Sequence, residues 1–173
     1  MRRTSLAIAT AAATTAACLA ASAASAQSRH EWDGLYAGGN LGLAFGETRD
    51  EGMRSLHVGR DWSNGHMVWG TELQWTDTGI EVPGGDLSDL VSLKLRFGQG
   101  TGDVLWYGIA GISYASGSFG DDLGWMVGVG VDVKVYGPFT VGGELTHHAF
   151  NDFEGGGGSL GLNTITARIS YHF

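Results

Sequence analysis

Seven charged side chains are spaced so that each falls on the polar face of an amphipathic segment. They are Glu72, Lys94, Arg96, Asp132, Lys134, Glu144 and Arg168. In the segment GWMVGVGVDVKV, two of these charges alternate with valines, and in a β-strand that alternation separates charged from apolar side chains. Three acids and four bases are nearly balanced, so they could pair with one another or provide a path for ions or protons.

Two other stretches contain residue types used in binding sites. His147 and His148 are adjacent, but neighbouring residues of a strand point to opposite sides, and one imidazole alone does not make a metal site. The stretch GGGGS at residues 155–159 lacks the Lys-Ser/Thr pair of a phosphate-binding loop, so it is interpreted as a flexible loop. We therefore predict no metal site and no cofactor.

The start of the chain has the pattern of a secretory signal peptide. Arg2 and Arg3 precede an apolar run, and an A-x-A sequence at residues 24–26 precedes Gln27. This predicts a cleaved signal peptide at residues 1–26 and a single domain at residues 27–173. A lipoprotein signal at Cys18 is an alternative, although the usual preceding Leu is missing. Without Cys18, the exported domain has no cysteine for a disulfide.

The exported domain is strongly acidic. Removal of Arg2 and Arg3 leaves eight Lys and Arg residues against eighteen Asp and Glu residues. An acidic surface argues against nucleic acid as a partner. No later segment is apolar for the ~18 residues that a membrane helix needs, so a membrane passage would have to use strands.

From Gly34 onward the chain alternates between amphipathic segments and glycine-rich turns. Period-two alternation predicts eight strands, at residues 35–45, 54–62, 66–75, 90–98, 104–115, 124–135, 139–150 and 167–173. The fifth is apolar or small on both faces, so its orientation stays open. Eight strands in this length predict an all-β fold, an eight-stranded antiparallel up-and-down transmembrane β-barrel.

The connections alternate between short and long. SNG, GQGTGD and YGP are short, whereas GETRDEG, TDTGIEVPGGDLSD, SGSFGDD and NDFEGGGGS are long and acidic. Outer-membrane barrels have short periplasmic turns and longer outside loops. The long connections are the first, third, fifth and seventh, as that topology requires.

Four stretches also resemble a known family. They are WDGLYAGGNLG, WSNGHMVWGTELQW, LVSLKLRFGQGTGDVLWYGIAGISYA and GWMVGVGVDVKVYGPFTVGGEL. They resemble the small outer-membrane β-barrels of the outer-membrane-protein-A-like superfamily, in particular its alphaproteobacterial surface-antigen and porin-like branch. The resemblance implies a location in the cell outer membrane. It also implies that Ile169, Tyr171 and Phe173 form a C-terminal signal for the barrel assembly machinery.

In such a barrel the valine- and tryptophan-rich faces would contact lipid, and the seven charges would point into the lumen. Unpaired buried charges are costly, so we predict an ion-pair network. Eight strands enclose an interior only just wide enough for side chains, so that network would close the lumen. Aromatic girdles are predicted from Trp69, Trp75, Trp125, Tyr171 and Phe173.

These features favour a non-enzymatic barrel that contributes to envelope structure and surface interactions. A small porin for ions or small solutes is the main alternative. A lipid A-modifying enzyme is a weaker one: His147 could face lipid close to Asp152 and Glu154, but no Ser accompanies it at matching spacing.

The expected partners are outer-membrane lipids and lipopolysaccharide, together with the barrel assembly machinery. Acidic residues of the long connections could bind divalent cations that bridge lipopolysaccharide phosphates; as solvated charge they would instead keep the loops soluble. The residues concerned are Glu47, Asp50, Glu51, Asp77, Glu81, Asp86, Asp89, Asp121, Asp122, Asp152 and Glu154. Adhesion through these loops is implied by the resemblance alone.

Overall fold

The described part of the chain is almost entirely β-strand. The computed structural model describes residues 32–45, 51–82, 85–117, 120–153 and 158–173. The predicted signal peptide at residues 1–26 and the glycines at 155–157 lie outside these ranges. Within them, no helix has the length and apolar character needed to cross a membrane.

Eight antiparallel strands form a closed barrel in which each strand pairs with its neighbours along the chain and β1 pairs with β8. They are β1 (Gly34–Phe45), β2 (Glu51–Asn64), β3 (Met67–Val82), β4 (Gly85–Thr101), β5 (Val104–Gly117), β6 (Gly120–Tyr136), β7 (Phe139–Phe153) and β8 (Gly158–His172). The predicted fold class is confirmed.

The barrel has its polar side chains inside and its apolar side chains outside. Leu41 is 71% exposed and Val129 60% exposed, whereas Glu72 and Lys94 are each 1% exposed. Side chains alternate between the two sides along the strands, and the faces predicted for β3, β4 and β6 are confirmed. A belt of exposed aliphatic and aromatic side chains suits contact with lipid rather than water.

Pairing with β6 orients β5, which its own sequence left open. Leu105 lies opposite Asp132, and Tyr107 lies opposite Gly130. Directly paired residues of adjacent strands point to the same side of the sheet, so Leu105 and Tyr107 face inward with Asp132. Both are buried, while Trp106 faces outward.

The strands are longer than the sequence predicted. The connection predicted at residues 76–89 is mostly strand, because β3 continues to Val82 and β4 begins at Gly85. The predicted long connections were therefore wrong in extent. Backbone hydrogen bonds between strands do not depend on side-chain polarity, so the ladder extends through acidic residues beyond the apolar belt.

The three short turns lie at one end of the barrel, together with Trp32 and Phe173. They contain Gly65, Gly102 and Gly137, with φ angles of 65°, 54° and 54°. Such left-handed angles favour glycine. This end is called the turn end below, and the opposite end is called the loop end.

The Asn64-Gly65 turn provides a test of this geometry. Gly65→Ala is expected to lower the free energy of unfolding by about 1 kcal/mol, because an L side chain is disfavoured at positive φ. Gly52→Ala is the matched control, since a Cβ at either position would meet nothing within 4 Å and Gly52 has no left-handed φ. Urea unfolding in lipid vesicles measures the free energy of unfolding of both variants. Equal losses in Gly65→Ala and Gly52→Ala would contradict the prediction.

Candidate functional site

The candidate site is a cluster of charged side chains across the middle of the barrel. β-Strand alternation turns Glu72 on β3 and Lys94 on β4 inward, and these two residues lie directly opposite each other in register. Arg96, Glu144 and Arg168 are carried inward by β4, β7 and β8. Each of these five residues is at most 4% exposed, so the charges interact in a setting that screens them little.

Lys94 binds two carboxylates at once. Its Nζ lies 2.7 Å from Glu144 Oε2 and 3.1 Å from Glu72 Oε1. The same nitrogen donates a 2.6 Å hydrogen bond to Gln74 Oε1. Lys94 therefore donates hydrogen bonds to Glu144 and Gln74 and makes a longer ionic contact with Glu72, whose Oε1 has no hydrogen-bond partner among the described residues.

Arg168 reaches across the lumen from β8. Its Nη2 lies 2.6 Å from Glu72 Oε2, its Nη1 forms an ion pair with Glu144, and its Nε lies 3.5 Å from Asp132 Oδ1. Because β8 is not adjacent to β3 or β6 in the barrel, the contacts with Glu72 and Asp132 join strands that are not neighbours.

Arg96 is held by carboxylates at its edge and by aromatic rings on its faces. Its Nη2 lies 2.6 Å from Asp132 Oδ2 and its Nη1 lies 3.8 Å from Asp61 Oδ2. The guanidinium carbon is 3.9 Å from the ring centroid of Tyr107 and 5.1 Å from that of Tyr36. These contacts combine ion pairing with cation–π attraction.

The hydroxyls of Tyr36 and Tyr107 link the charges further. Tyr36 donates to Glu72 Oε2 at 3.0 Å and accepts from Arg96 Nη1 at 2.6 Å. Tyr107 donates to Glu144 Oε1 at 2.9 Å. Space for the two rings exists because Gly59 and Gly130 face them, and a Cβ at either glycine would overlap the ring.

The structure brings together six of the seven charges that the sequence singled out. Lys134 faces inward nearer the turn end, where its Nζ lies 4.7 Å from the ring centroid of Trp32. Asp61, Tyr36 and Tyr107 also belong to the cluster and were not predicted from the sequence. The period of two along β2 could have predicted that Asp61 faces inward, because His57 lies four residues before it on the same face. The inward direction of Tyr107 could not be predicted, because the orientation of β5 was open.

A layer of uncharged polar groups lies between the charges and the loop end. Ser92 contacts Ser113 at 2.9 Å, Ser113 contacts His148 Nδ1 at 3.1 Å, and Thr146 contacts His148 Nε2 at 3.2 Å. Across the lumen, Asn40 donates to Gln74 Oε1 at 3.0 Å. These groups hydrogen-bond to one another, although Asn40 Oδ1 has no partner among the described residues.

Trp32 fills the barrel at the turn end. It is 3% exposed and belongs to a buried cluster with Val68, Leu105 and Tyr107. Its Nε1 donates to the Gly102 carbonyl at 3.2 Å. A Cβ at Gly100 would overlap its indole ring. Trp32, two residues before β1, therefore lies inside the lumen.

The histidine pair does not form a joint site. His148 faces inward, whereas His147 faces outward, where its Nδ1 lies 2.9 Å from Asn163 Oδ1 and its ring lies near Trp125. Among the described residues, no three His, Cys, Asp or Glu side chains are grouped to hold a metal ion. The side chains of Asp152 and Glu154 lie outside the described part.

Two residues of the predicted assembly signal lie on the outer face of β8, and the third, Phe173, directly follows the strand. Ile169, Tyr171 and Phe173 are 53%, 41% and 71% exposed. Tyr171 packs edge to face against Phe139 and Phe173. Their recognition by the assembly machinery stays a prediction.

Comparisons with known proteins agree with this architecture. A family model described as the outer membrane protein beta-barrel domain matches residues 14–173. No curated protein sequence matches the chain. The solved structure of Neisserial surface protein A is 14% identical, with a TM-score of 0.54 and coverage of 80% of this chain and 96% of the other.

A second solved structure, that of the Yersinia pestis attachment invasion locus protein Ail with the heparin analogue sucrose octasulfate, is 17% identical. Its TM-score is 0.53, and the match covers 82% of this chain and 97% of the other. At these identities the likeness shows the fold alone. The alphaproteobacterial branch named from the sequence stays a prediction.

The lumen cluster is expected to contribute far more to stability than an exposed ion pair. Lys94→Met leaves Glu72 and Glu144 short of a partner and should lower the free energy of unfolding by about 3 kcal/mol. Arg54→Met is the control, because Arg54 pairs with Asp77 on the outer face, where its side chain is 77% exposed, and should cost less than about 1 kcal/mol. Urea unfolding in lipid vesicles measures the free energy of unfolding of both variants. Similar losses in Lys94→Met and Arg54→Met would contradict the prediction.

Proposed function

The chain belongs to the outer membrane protein β-barrel family, and on that premise we propose a non-enzymatic role for it in the cell outer membrane. Its closed, charge-paired lumen makes it a structural element of the envelope. The observation that carries the proposal is the cluster formed by Glu72, Lys94, Arg96, Glu144 and Arg168.

Three layers across the lumen support a closed barrel. The charge cluster joins opposite walls at mid-height, hydrogen-bonded Ser, Thr, Asn, Gln and His side chains lie toward the loop end, and Trp32 lies at the turn end. An eight-stranded barrel leaves little room beside such side chains. Ions could pass only if these contacts separated, which would leave buried charges without partners.

Two Ser–His contacts in the lumen resemble parts of a hydrolase site, but each lacks the third member. His57 Nε2 lies 2.8 Å from Ser170 Oγ, and His57 Nδ1 has no hydrogen-bond partner. His148 contacts Ser113 with one ring nitrogen and Thr146 with the other. A catalytic triad needs a carboxylate on the second ring nitrogen, so these described pairs favour a structural role.

The surface-interaction part of the proposal rests on the acidic connections. Of the eleven acids, Asp77 pairs with Arg54, and Asp89 accepts a 3.1 Å hydrogen bond from Trp75 Nε1; the side chains of the others lie outside the described part. The acidic excess of the chain would repel a polyanion such as the heparin analogue bound to Ail. Divalent cations fit its charge better, and calcium titration of the folded protein tests this; no saturable uptake would exclude it.

Conductance in a planar bilayer tests the closed lumen. The wild-type protein, with heat-modifiable migration as proof of folding, is expected to show no steady current. Glu72→Gln and Lys94→Ala are expected to produce openings, because each removes contacts that join opposite walls. Arg54→Ala, outside the lumen, is the control and should remain silent. Steady wild-type current that changes with Glu72→Gln would contradict the proposal and favour a small porin.

A further inference from the structure

Arg60 is a charged residue on the apolar outer surface of the barrel. On β2, His57 and Asp61 face the lumen and are 4% and 1% exposed. Alternation therefore turns Arg60 outward. Its neighbours in register are Leu35 on β1 and Thr71 on β3, and neither can neutralise a guanidinium group.

Two tryptophans lie beside Arg60. Its guanidinium carbon is 5.2 Å from the ring centroid of Trp62. Trp62 stacks on Trp69 of β3, with ring centroids 4.6 Å apart and planes 18° from parallel. These three residues are called the Arg60 patch below; they place one cation at the edge of a broad aromatic surface.

The charge of Arg60 is not paired within the described part of the chain. Within the described residues no carboxylate lies within ion-pair distance of Arg60, and its Nε is buried without a hydrogen-bond partner. Arg54, on the same face of the same strand, differs: its Nη2 lies 2.6 Å from Asp77 Oδ2. A buried donor of a cation without an acceptor is costly, so an anion bound there would stabilise Arg60.

The position along the strand indicates where that anion comes from. Arg60 lies four residues before Asn64, the last residue of β2, which corresponds to roughly 10 Å along the barrel axis for a tilted strand. Its guanidinium lies near the ring of Trp62, a residue two positions closer to the turn end. Barrels of this kind orient their short turns toward the periplasm, and Trp rings lie at the level of the lipid headgroups. The guanidinium therefore lies at the depth expected for the phosphates of the periplasmic leaflet.

We propose that the Arg60 patch binds the headgroup phosphate of an anionic phospholipid in the periplasmic leaflet. The guanidinium N–H groups donate to phosphate oxygens, which a planar donor fork suits. The stacked rings of Trp62 and Trp69 contact the glycerol backbone and the first methylenes of the acyl chains. This inference rests on the outer-membrane location and is independent of whether the lumen is closed.

Native mass spectrometry of the folded protein, titrated with phosphatidylglycerol, tests the proposal. The wild type is expected to retain one tightly bound lipid. Arg60→Gln should weaken that binding about tenfold, the loss expected for one charge-assisted contact. Arg60→Lys should weaken it less, because it keeps the charge but not the fork. Arg54→Gln is the matched control, since it removes an outward arginine of the same strand, and should bind as the wild type does.

Two further arms identify the source of the phosphate. Phosphatidylcholine should bind more weakly than phosphatidylglycerol, because its choline group cancels the lipid charge. Glycerol 3-phosphate should not displace the lipid, because it lacks the acyl chains that the tryptophans contact. Equal binding by wild type and Arg60→Gln, or equal losses in Arg60→Gln and Arg54→Gln, would overturn the proposal. Displacement by glycerol 3-phosphate would overturn the lipid as the occupant.

Discussion

Closure of the sheet between β1 and β8 is the constraint on which the rest of the structure depends. In hydrocarbon, an edge strand would expose N–H and C=O groups that no water can satisfy. Pairing from Tyr36 opposite His172 to Phe45 opposite Asn163 removes that edge, and the N–H of Phe173 extends it by donating to the Leu35 carbonyl. A closed sheet of eight strands has a narrow, set width, so every side chain is assigned either to lipid or to a small interior.

The narrow interior explains why the charges can pair. Arg168 contacts Glu72 and Asp132 on strands that are not its neighbours, a distance that side chains could not bridge in a wider barrel. Burying each ion is costly, and several partners per ion offset that cost. The glycines opposite Tyr36 and Tyr107 follow from the same lack of space. The pairing of the charges and the placement of the glycines therefore both result from the narrow interior.

The contacts of an outward-facing side chain depend on its depth in the membrane as well as on strand alternation. Arg54 and Arg60 have the same orientation on β2, yet Arg54 pairs with Asp77 and Arg60 lies over Trp62. Aromatic side chains at the turn end contact each other across strands in two separate pairs, Trp62 with Trp69 and Phe139 with Tyr171. The headgroup region of the membrane suits both the aromatic pairs and Arg60, because it accommodates amphipathic rings and a cation.

The sequence by itself determined the number and alternation of the strands, the inward direction of Glu72, Lys94 and Arg96, and the end of the barrel that carries the short turns. These follow from local periodicity and from turn residues such as Gly65, which act within a few positions of the chain. Only the tertiary structure decided which charges meet, that Asp61 and two tyrosines join them, that β5 turns Tyr107 inward, and that Trp32 enters the lumen. These depend on register between strands far apart in sequence: Tyr107 faces inward because it pairs with Gly130, and no period within β5 records that pairing. Strand ends were misjudged for a related reason, since backbone pairing continues past the point where side-chain polarity changes.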